Sequence, residues 1–320
     1  MKIIITGGAG FLGQRLATAL LQGQHTLSFD QLILADIHLP CSPLDDPRVS
    51  CVALDLSQPQ AAEALIDAEC GVLFHLAAIV SSHAESDFDL GMQVNFDATR
   101  QLLEAARRKA PAMKFIFTSS LAVFGGQLPA LIDDGCAVTP QSSYGTQKAM
   151  CELLINDYAR KGFVDGRVLR LPTISVRPGK PNQAASSFAS GIIREPLHGE
   201  PAVCPVSPDL ALWLSSPASV VRNFIHAATL PAEAFGTART VNLPGISVRV
   251  QQMLDALREV AGEQVSGLVR FEANEAINRI VASWPGNFDV RRALAMGFVA
   301  DENFQQAIRA FMREQQQGGN

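Results

Sequence analysis

Short runs of apolar residues alternate with longer stretches of helical period through the first half of the chain. Residues 2–6, 32–36, 49–54, 72–75, 114–118 and 167–171 read as strands. Between them, 11–22, 90–109 and 144–161 repeat apolar positions every three or four residues and read as helices. Ile3, Ile4 and Ile5 are apolar without interruption, which suits a parallel strand covered on both faces. Alternation of this kind predicts an α/β protein built on a doubly wound parallel sheet.

From about Pro172 the texture changes to segments punctuated by Pro and Ser, including 177–181 and 205–217. Helical period resumes at 219–229 and 248–262, and a further strand-like run, 239–243, is placed to return to the main sheet. The pattern predicts a nucleotide-binding domain over 1–171, rejoined by 216–245, and a smaller interleaved C-terminal lobe over 172–215 and 246–314. The tail 315–320 has nothing apolar to bury and is expected to fray.

The apolar fraction of 48% over 320 residues supports a sizeable core. A net charge of −5 without long like-charged runs gives no footprint for nucleic acid or for a membrane surface, so a small diffusible molecule is the expected partner. The six cysteines form no Cys-x-x-Cys pair and the six histidines no metal-ligand spacing, so no metal is expected. The N-terminal apolar run is far shorter than a secretory core and no stretch approaches a membrane span. A cytoplasmic protein with reduced thiols is the expectation.

The chemistry begins where the first strand ends, at Thr6-Gly7-Gly8-Ala9-Gly10-Phe11-Leu12-Gly13. Gly7 and Gly10 permit a tight turn and close approach of a pyrophosphate, and Gly13 lets the next helix pack near the sheet. The amides of Gly10, Phe11 and Leu12 then open the helix toward phosphate oxygens. Asp36, closing the second strand, is spaced to accept the adenosine ribose hydroxyls and would repel a 2′-phosphate. Ile37 and His38 supply no arginine to hold one, so NAD is expected over NADP.

Tyr144 and Lys148 stand one helical turn apart, on one helix face. A phenol titrates near pH 10, so a neighbouring ammonium and a cationic nicotinamide ring are what would make it a base at neutral pH. This spacing predicts alcohol oxidation, with Tyr144 taking the hydroxyl proton as hydride leaves the carbon. His75 reads as a strand-end histidine satisfied by backbone, and Trp213 as core.

In order and spacing, these residues resemble the extended short-chain dehydrogenase/reductase family over nearly the whole chain. The matching pieces are Thr6–Gly13, Asp55-Leu56, His75-Leu76-Ala77-Ala78, Asn95, the stretch from Ser119 to Gly125, Tyr144-Gly145-Thr146-Gln147-Lys148, and Asp289, Leu294 and Gly297-Phe298. The resemblance implies a Rossmann fold with Ser120, Tyr144 and Lys148 catalytic, Ser120 being chosen over Ser119 because it stands five residues before Gly125. It implies adenine contacts from Asp55 and Leu56, central coenzyme contacts from Leu76, Ala77 and Ala78, and support from Asn95. Ser119, Pro172 and Thr173 complete the implied coenzyme set. It also implies a homodimer packed through 90–109 and 144–161.

Many relatives of this kind act on nucleotide sugars, and an epimerase or dehydratase is one alternative; a non-catalytic NAD(H) sensor is another, disfavoured by the intact Tyr144 and Lys148. Against the sugar-nucleotide reading, 171–180 lacks the usual Asn and Tyr-Gly-Pro pattern, and Leu121 and Ala122 replace the dehydratase acid beside Ser120. The stretch 171–197 instead resembles a branch of the family that oxidises the C2 hydroxyl of four-carbon sugar acids with NAD⁺. For such a substrate Ser81, Ser82 and Thr173 are candidates to read hydroxyls, with Ser186 and Ser187 weaker ones. Arg177 is the first candidate for the carboxylate, because a guanidinium binds it bidentately; Arg170, Lys180, Arg194, Arg222 and Arg279 are rivals.

Overall fold

The computed structural model describes residues 1–180 and 184–318, so positions 181–183 of the 171–197 stretch and the last two residues of the tail lie outside the described residues. Six strands follow the first-half pattern: β1 (Lys2–Thr6), β2 (Gln31–Asp36), β3 (Val49–Ala53), β4 (Cys70–His75), β5 (Lys114–Ser120) and β6 (Asp165–Leu171). After β7 (Thr173–Ile174), β8 (Ala202–Cys204) and β9 (Ala211–Ser215), the chain returns as β10 (Thr240–Asn242), which pairs with β6. The resulting seven-stranded sheet has the order β10-β6-β5-β4-β1-β2-β3, and every pairing in it is parallel. This is a Rossmann fold with an interleaved smaller lobe.

Both faces of the sheet are covered, which is why β1 is buried throughout. On one side Ile3 and Ile5 meet Leu16 and Leu20 of helix Phe11–Gln22 and Val220 and Phe224 of helix Pro217–Thr229. On the other, Ile4 packs with Leu102, Leu103 and Ala106 of helix Ala98–Lys109 and with Cys151 and Ile155 of helix Ser143–Arg160. The lobe has its own core, with Ile192, Leu214, Leu257 and Ile308 among its fully buried side chains. Its backbone is ordered by the sheet β11-β9-β7, where β11 is Ile246–Arg249, and by the pair β8 and β12 (Val269–Phe271).

Three sequence expectations change. The punctuated stretch 205–217 contains β9, which pairs antiparallel with β11, so the helix expected from 248 begins at Val250. The run 90–109 is helical but not uniformly α: Met92–Asp97 is a π-helical segment between Phe88–Gly91 and Ala98–Lys109. The tail does not fray at 315, because helix Phe304–Gly318 runs on; Glu314 is tied to Arg15 of the first helix and Gln315 to His198 at 3.4 Å. Glutamine sustains a helix already nucleated and anchored. Among the described residues no helix is long and apolar enough to cross a membrane.

Candidate active site

The direction of winding reverses between β1 and β4, and the crevice beyond their C-terminal ends is where such sheets hold ligands. The glycine loop crosses it. Gly7 adopts φ 73°, and a Cβ there would stand 2.9 Å from the Ala77 amide nitrogen. A Cβ on Gly13 would stand 2.2 Å from the Gly7 carbonyl oxygen, so the loop and helix Phe11–Gln22 pack backbone to backbone. At Gly10, by contrast, a Cβ would meet only the Gly7 oxygen at 3.1 Å, leaving that face open. Gly10 caps the helix with no side-chain bond, so the first-turn amides of Phe11 and Leu12 remain available to an anion.

At the far end of this loop the Asp36 carboxylate accepts the Ala9 amide at 3.1 Å and the His38 amide at 3.3 Å, beside the exposed Ile37. Open glycine face, free amides and terminal carboxylate together fit a dinucleotide. Across the crevice, Leu76 and Ala77 donate their amides to Thr6, at 3.1 and 3.4 Å, and stay half-exposed with Ala78. Asp55 accepts from Ser57 and Gln58, and those bonds hold its carboxyl below the usual range. Leu56 turns into the core beside Ala35.

The reacting groups come from β5 and from helix Ser143–Arg160, which starts at Ser142 with its hydroxyl accepting the Gly145 amide at 3.2 Å. A Cβ on Gly145 would stand 2.1 Å from the Ala122 oxygen, so this helix start sits directly on the turn after Ser120. Ser120 and Tyr144 meet there, on the cavity that both line. Burial pushes the Tyr144 phenol up to about 12, opposed by the Ser120 hydrogen bond and the positive charge of Arg177. Burial pushes Lys148 down to about 8, opposed by Cys151 and Glu152. The Lys148 ammonium donates to the Thr118 carbonyl at 2.8 Å and lies 5.7 Å from the centre of the Tyr144 ring.

Behind these groups stands a buried polar frame of which the sequence pointed only to Asn95. Ser119 borders the crevice with its neighbour, but its hydroxyl is engaged behind it: it donates to Glu152, which also receives Arg170 at 2.7 to 3.1 Å. Asn95 accepts the Ile79 amide at 2.8 Å and spends its own amide group on Ile79 O at 3.0 Å and Gln147 Oε1 at 2.7 Å. It thereby ties the loop after β4 to the helix of Tyr144 and Lys148. Within the π-helical segment the Asn95 carbonyl accepts the Thr99 hydroxyl at 2.7 Å and the Cys151 thiol at 3.2 Å.

His75 is satisfied by two threonines rather than by backbone. Thr99, donating to Asn95, accepts from His75 Nε2 at 2.9 Å, which leaves Nδ1 to accept from Thr6 at 2.7 Å. Complete burial, with the nearby Lys148 charge, pushes this imidazole down to about 3, so it is neutral and structural.

Ser120, Tyr144, Arg177, Ser81, Ser119, Pro172 and Thr173 line one cavity of about 140 Å³, together with Ser186 and Trp284. Ser81 accepts the Ala185 amide at 2.9 Å. Ser82 is a correction: it lines a separate cavity with Ser86, Phe188 and Gly191, because consecutive residues of helix Ser81–Ser86 point about 100° apart. The rivals to Arg177 are elsewhere. Arg170 is held by Glu152, Arg194 by Glu195 and the Arg177 carbonyl, and Arg222 by Ser219, while Lys180 and Arg279 are exposed. Trp213 is buried, with its indole N–H on Leu243 O at 3.2 Å.

Residues 3–230 match the model of the NAD dependent epimerase/dehydratase family. The D-erythronate dehydrogenase of Haemophilus influenzae is 60% identical over 98% of this chain and 99% of its own length. That of Cupriavidus necator is 53% identical over 98% of each. The crystal structure described as a nucleoside-diphosphate-sugar epimerase from Agrobacterium tumefaciens matches with a TM-score of 0.93 and 44% identity, over 100% of this chain and 95% of that one.

Proposed function

Because this chain belongs to the NAD-dependent epimerase/dehydratase family and is an NAD-dependent oxidoreductase, we propose that it oxidises the C2 hydroxyl of D-erythronate to 2-oxo-tetronate. The observation that carries this reading is the company Tyr144 keeps: its phenol, the Ser120 hydroxyl and the Arg177 guanidinium line one cavity of about 140 Å³. Pockets for drug-sized ligands run from about 300 Å³ upward, so this one suits a molecule of few carbons. A carboxylate on Arg177 sets the adjacent C2 hydroxyl within reach of the other two groups.

Gly7, Gly10, Phe11, Leu12 and Gly13 would hold the pyrophosphate, Asp36 and Ile37 the adenosine ribose, Asp55 and Leu56 the adenine side, and Leu76, Ala77 and Ala78 the central portion. When bound, NAD⁺ supplies the acceptor for the hydride that leaves C2. Tyr144 removes the C2 hydroxyl proton as the carbonyl forms, Ser120 hydrogen-bonds the same oxygen, and the proton passes on to solvent. Lys148 holds the nicotinamide ribose and lends positive charge to the phenolate, with Ser119, Asn95, Pro172 and Thr173 bracing or edging that pocket. Ser81 and Thr173 read the remaining hydroxyls.

In the same reading the protein works as a homodimer in the cytoplasm. Two copies pair through the runs 90–109 and 144–161; Leu153 on the second is 66% exposed and Phe88, just before the first, 57%, and the six free thiols suit a reducing compartment.

The name of the Agrobacterium relative favours a second reading, conversion of a nucleotide sugar. An assay of reduced coenzyme with D-erythronate, other sugar acids and UDP-sugars separates the two. D-erythronate is expected to drive NADH formation, with kcat/KM at least about tenfold better with NAD⁺ than with NADP⁺, since Asp36 repels a 2′-phosphate. Conversion of a UDP-sugar with no turnover of the acid would replace the proposal with the epimerase reading.

A further inference from the structure

The small cavity around Tyr144 has a larger neighbour. A cleft of about 530 Å³ is lined by Gly126, Leu128, Ala211, Ser247 and residues 282–287. Among the described residues, Trp284 is the lining residue that the two spaces share. Trp284 therefore stands between them as their shared wall. The wall is held from both sides: Trp284 packs on the lobe core and also on the cluster of Leu121, Phe124, Trp213 and Phe288. Its amide closes on Val281 O at 3.1 Å, just past helix Glu275–Val281. Two residues on, a Cβ at Gly286 would stand 2.7 Å from the Ala211 oxygen, so the segment is pressed against β9.

Packed indoles do not yield to a substrate as a solvated side chain would. With the carboxylate fixed at Arg177 and C2 at Tyr144 and Ser120, every added carbon must fit in what is left of about 140 Å³. We propose that Trp284 sets the length of the sugar acid accepted, ending the pocket after four carbons and shutting off the wider cleft. This rests on the sugar-acid reading of the site and specifies its substrate class.

The test compares D-erythronate with D-ribonate and D-allonate, which keep the configuration at C2 and C3 and add one and two carbons. The wild-type protein should favour D-erythronate over D-allonate by about 10²-fold or more in kcat/KM, since a single misfitting methylene already costs about 10- to 200-fold. In Trp284→Ala that ratio should fall at least about tenfold, through gain on D-allonate as well as loss on D-erythronate, while Trp284→Phe keeps most of the discrimination. Thermal melting and NADH binding identify a variant that has failed to fold, and Trp284→Leu then takes its place.

The failures are distinct. Wild-type protein that oxidises no sugar acid sinks the functional reading and this inference with it. Wild-type protein that turns over D-erythronate and D-allonate equally well overturns the inference and leaves the reaction standing. So does a folded, NADH-binding Trp284→Ala or Trp284→Leu that keeps the wild-type ratio.

Discussion

Tyr144→Phe should lower kcat for alcohol oxidation by about 10²- to 10⁴-fold, the usual contribution of a positioned general base, with NADH binding unchanged. The ring remains to fill its place, and only the oxygen that exchanges the proton is lost. The pH profile carries a second signature. The active form is the phenolate, so kcat/KM in the wild type rises with pH toward the tyrosine pKa. Burial pushes that phenol up to about 12 even with Ser120 and the Arg177 charge pulling it the other way. The added charge of a nicotinamide ring acts in the same direction as Arg177. In Tyr144→Phe the rising limb should disappear; a variant with near-normal turnover and an unchanged limb would move the base elsewhere.

Arg177→Ala should raise KM for the acid about 10- to 100-fold, the size expected from losing charge-assisted hydrogen bonds worth about 1.5–3 kcal/mol. Arg177→Lys should recover only part of this, because an ammonium cannot reproduce the planar fork. Arg177 also acts on Tyr144, so its removal has a predictable sign: with that positive charge gone the phenol pKa goes up, and the rising limb of the pH profile moves to higher pH. Unchanged KM for the acid would remove Arg177 from the site. Changed KM with an unmoved limb would leave it as an anchor alone.

Patterns local in sequence were the ones legible before the fold was known. The glycine loop follows directly on β1, Asp36 ends the next strand, and Tyr144 and Lys148 need only one helical turn to share a face, so composition and spacing were enough to place them. Choosing Ser120 over Ser119 needed the family pattern, and the two hydroxyls now differ physically: one accepts the Ala122 amide beside Tyr144, the other is buried on Glu152.

What stayed hidden depends on contacts far apart in the chain. Glu152 and Gln147 look like ordinary helix residues until Ser119, Arg170 and Asn95 close on them from other elements. His75 gave no hint that its partners would be Thr6 and Thr99. The first tryptophan to draw notice, Trp213, is core, whereas Trp284 reaches the pocket from the distant lobe. Ser82 misled because a helix turns its neighbours to different sides. β9 was masked by the prolines and serines around it, and the polar tail stayed helical because Arg15 and His198, nearly 300 and more than 100 residues away, hold it.

Isotope transfer from C2 is the most direct measurement of the proposed reaction. D-erythronate carrying deuterium only at C2 is incubated with the protein and NAD⁺, and the reduced coenzyme is weighed by mass spectrometry. Deuterium should appear in the NADH, one atom per molecule of 2-oxo acid formed. Unlabelled NADH, or loss of the label to water, would contradict hydride removal from C2.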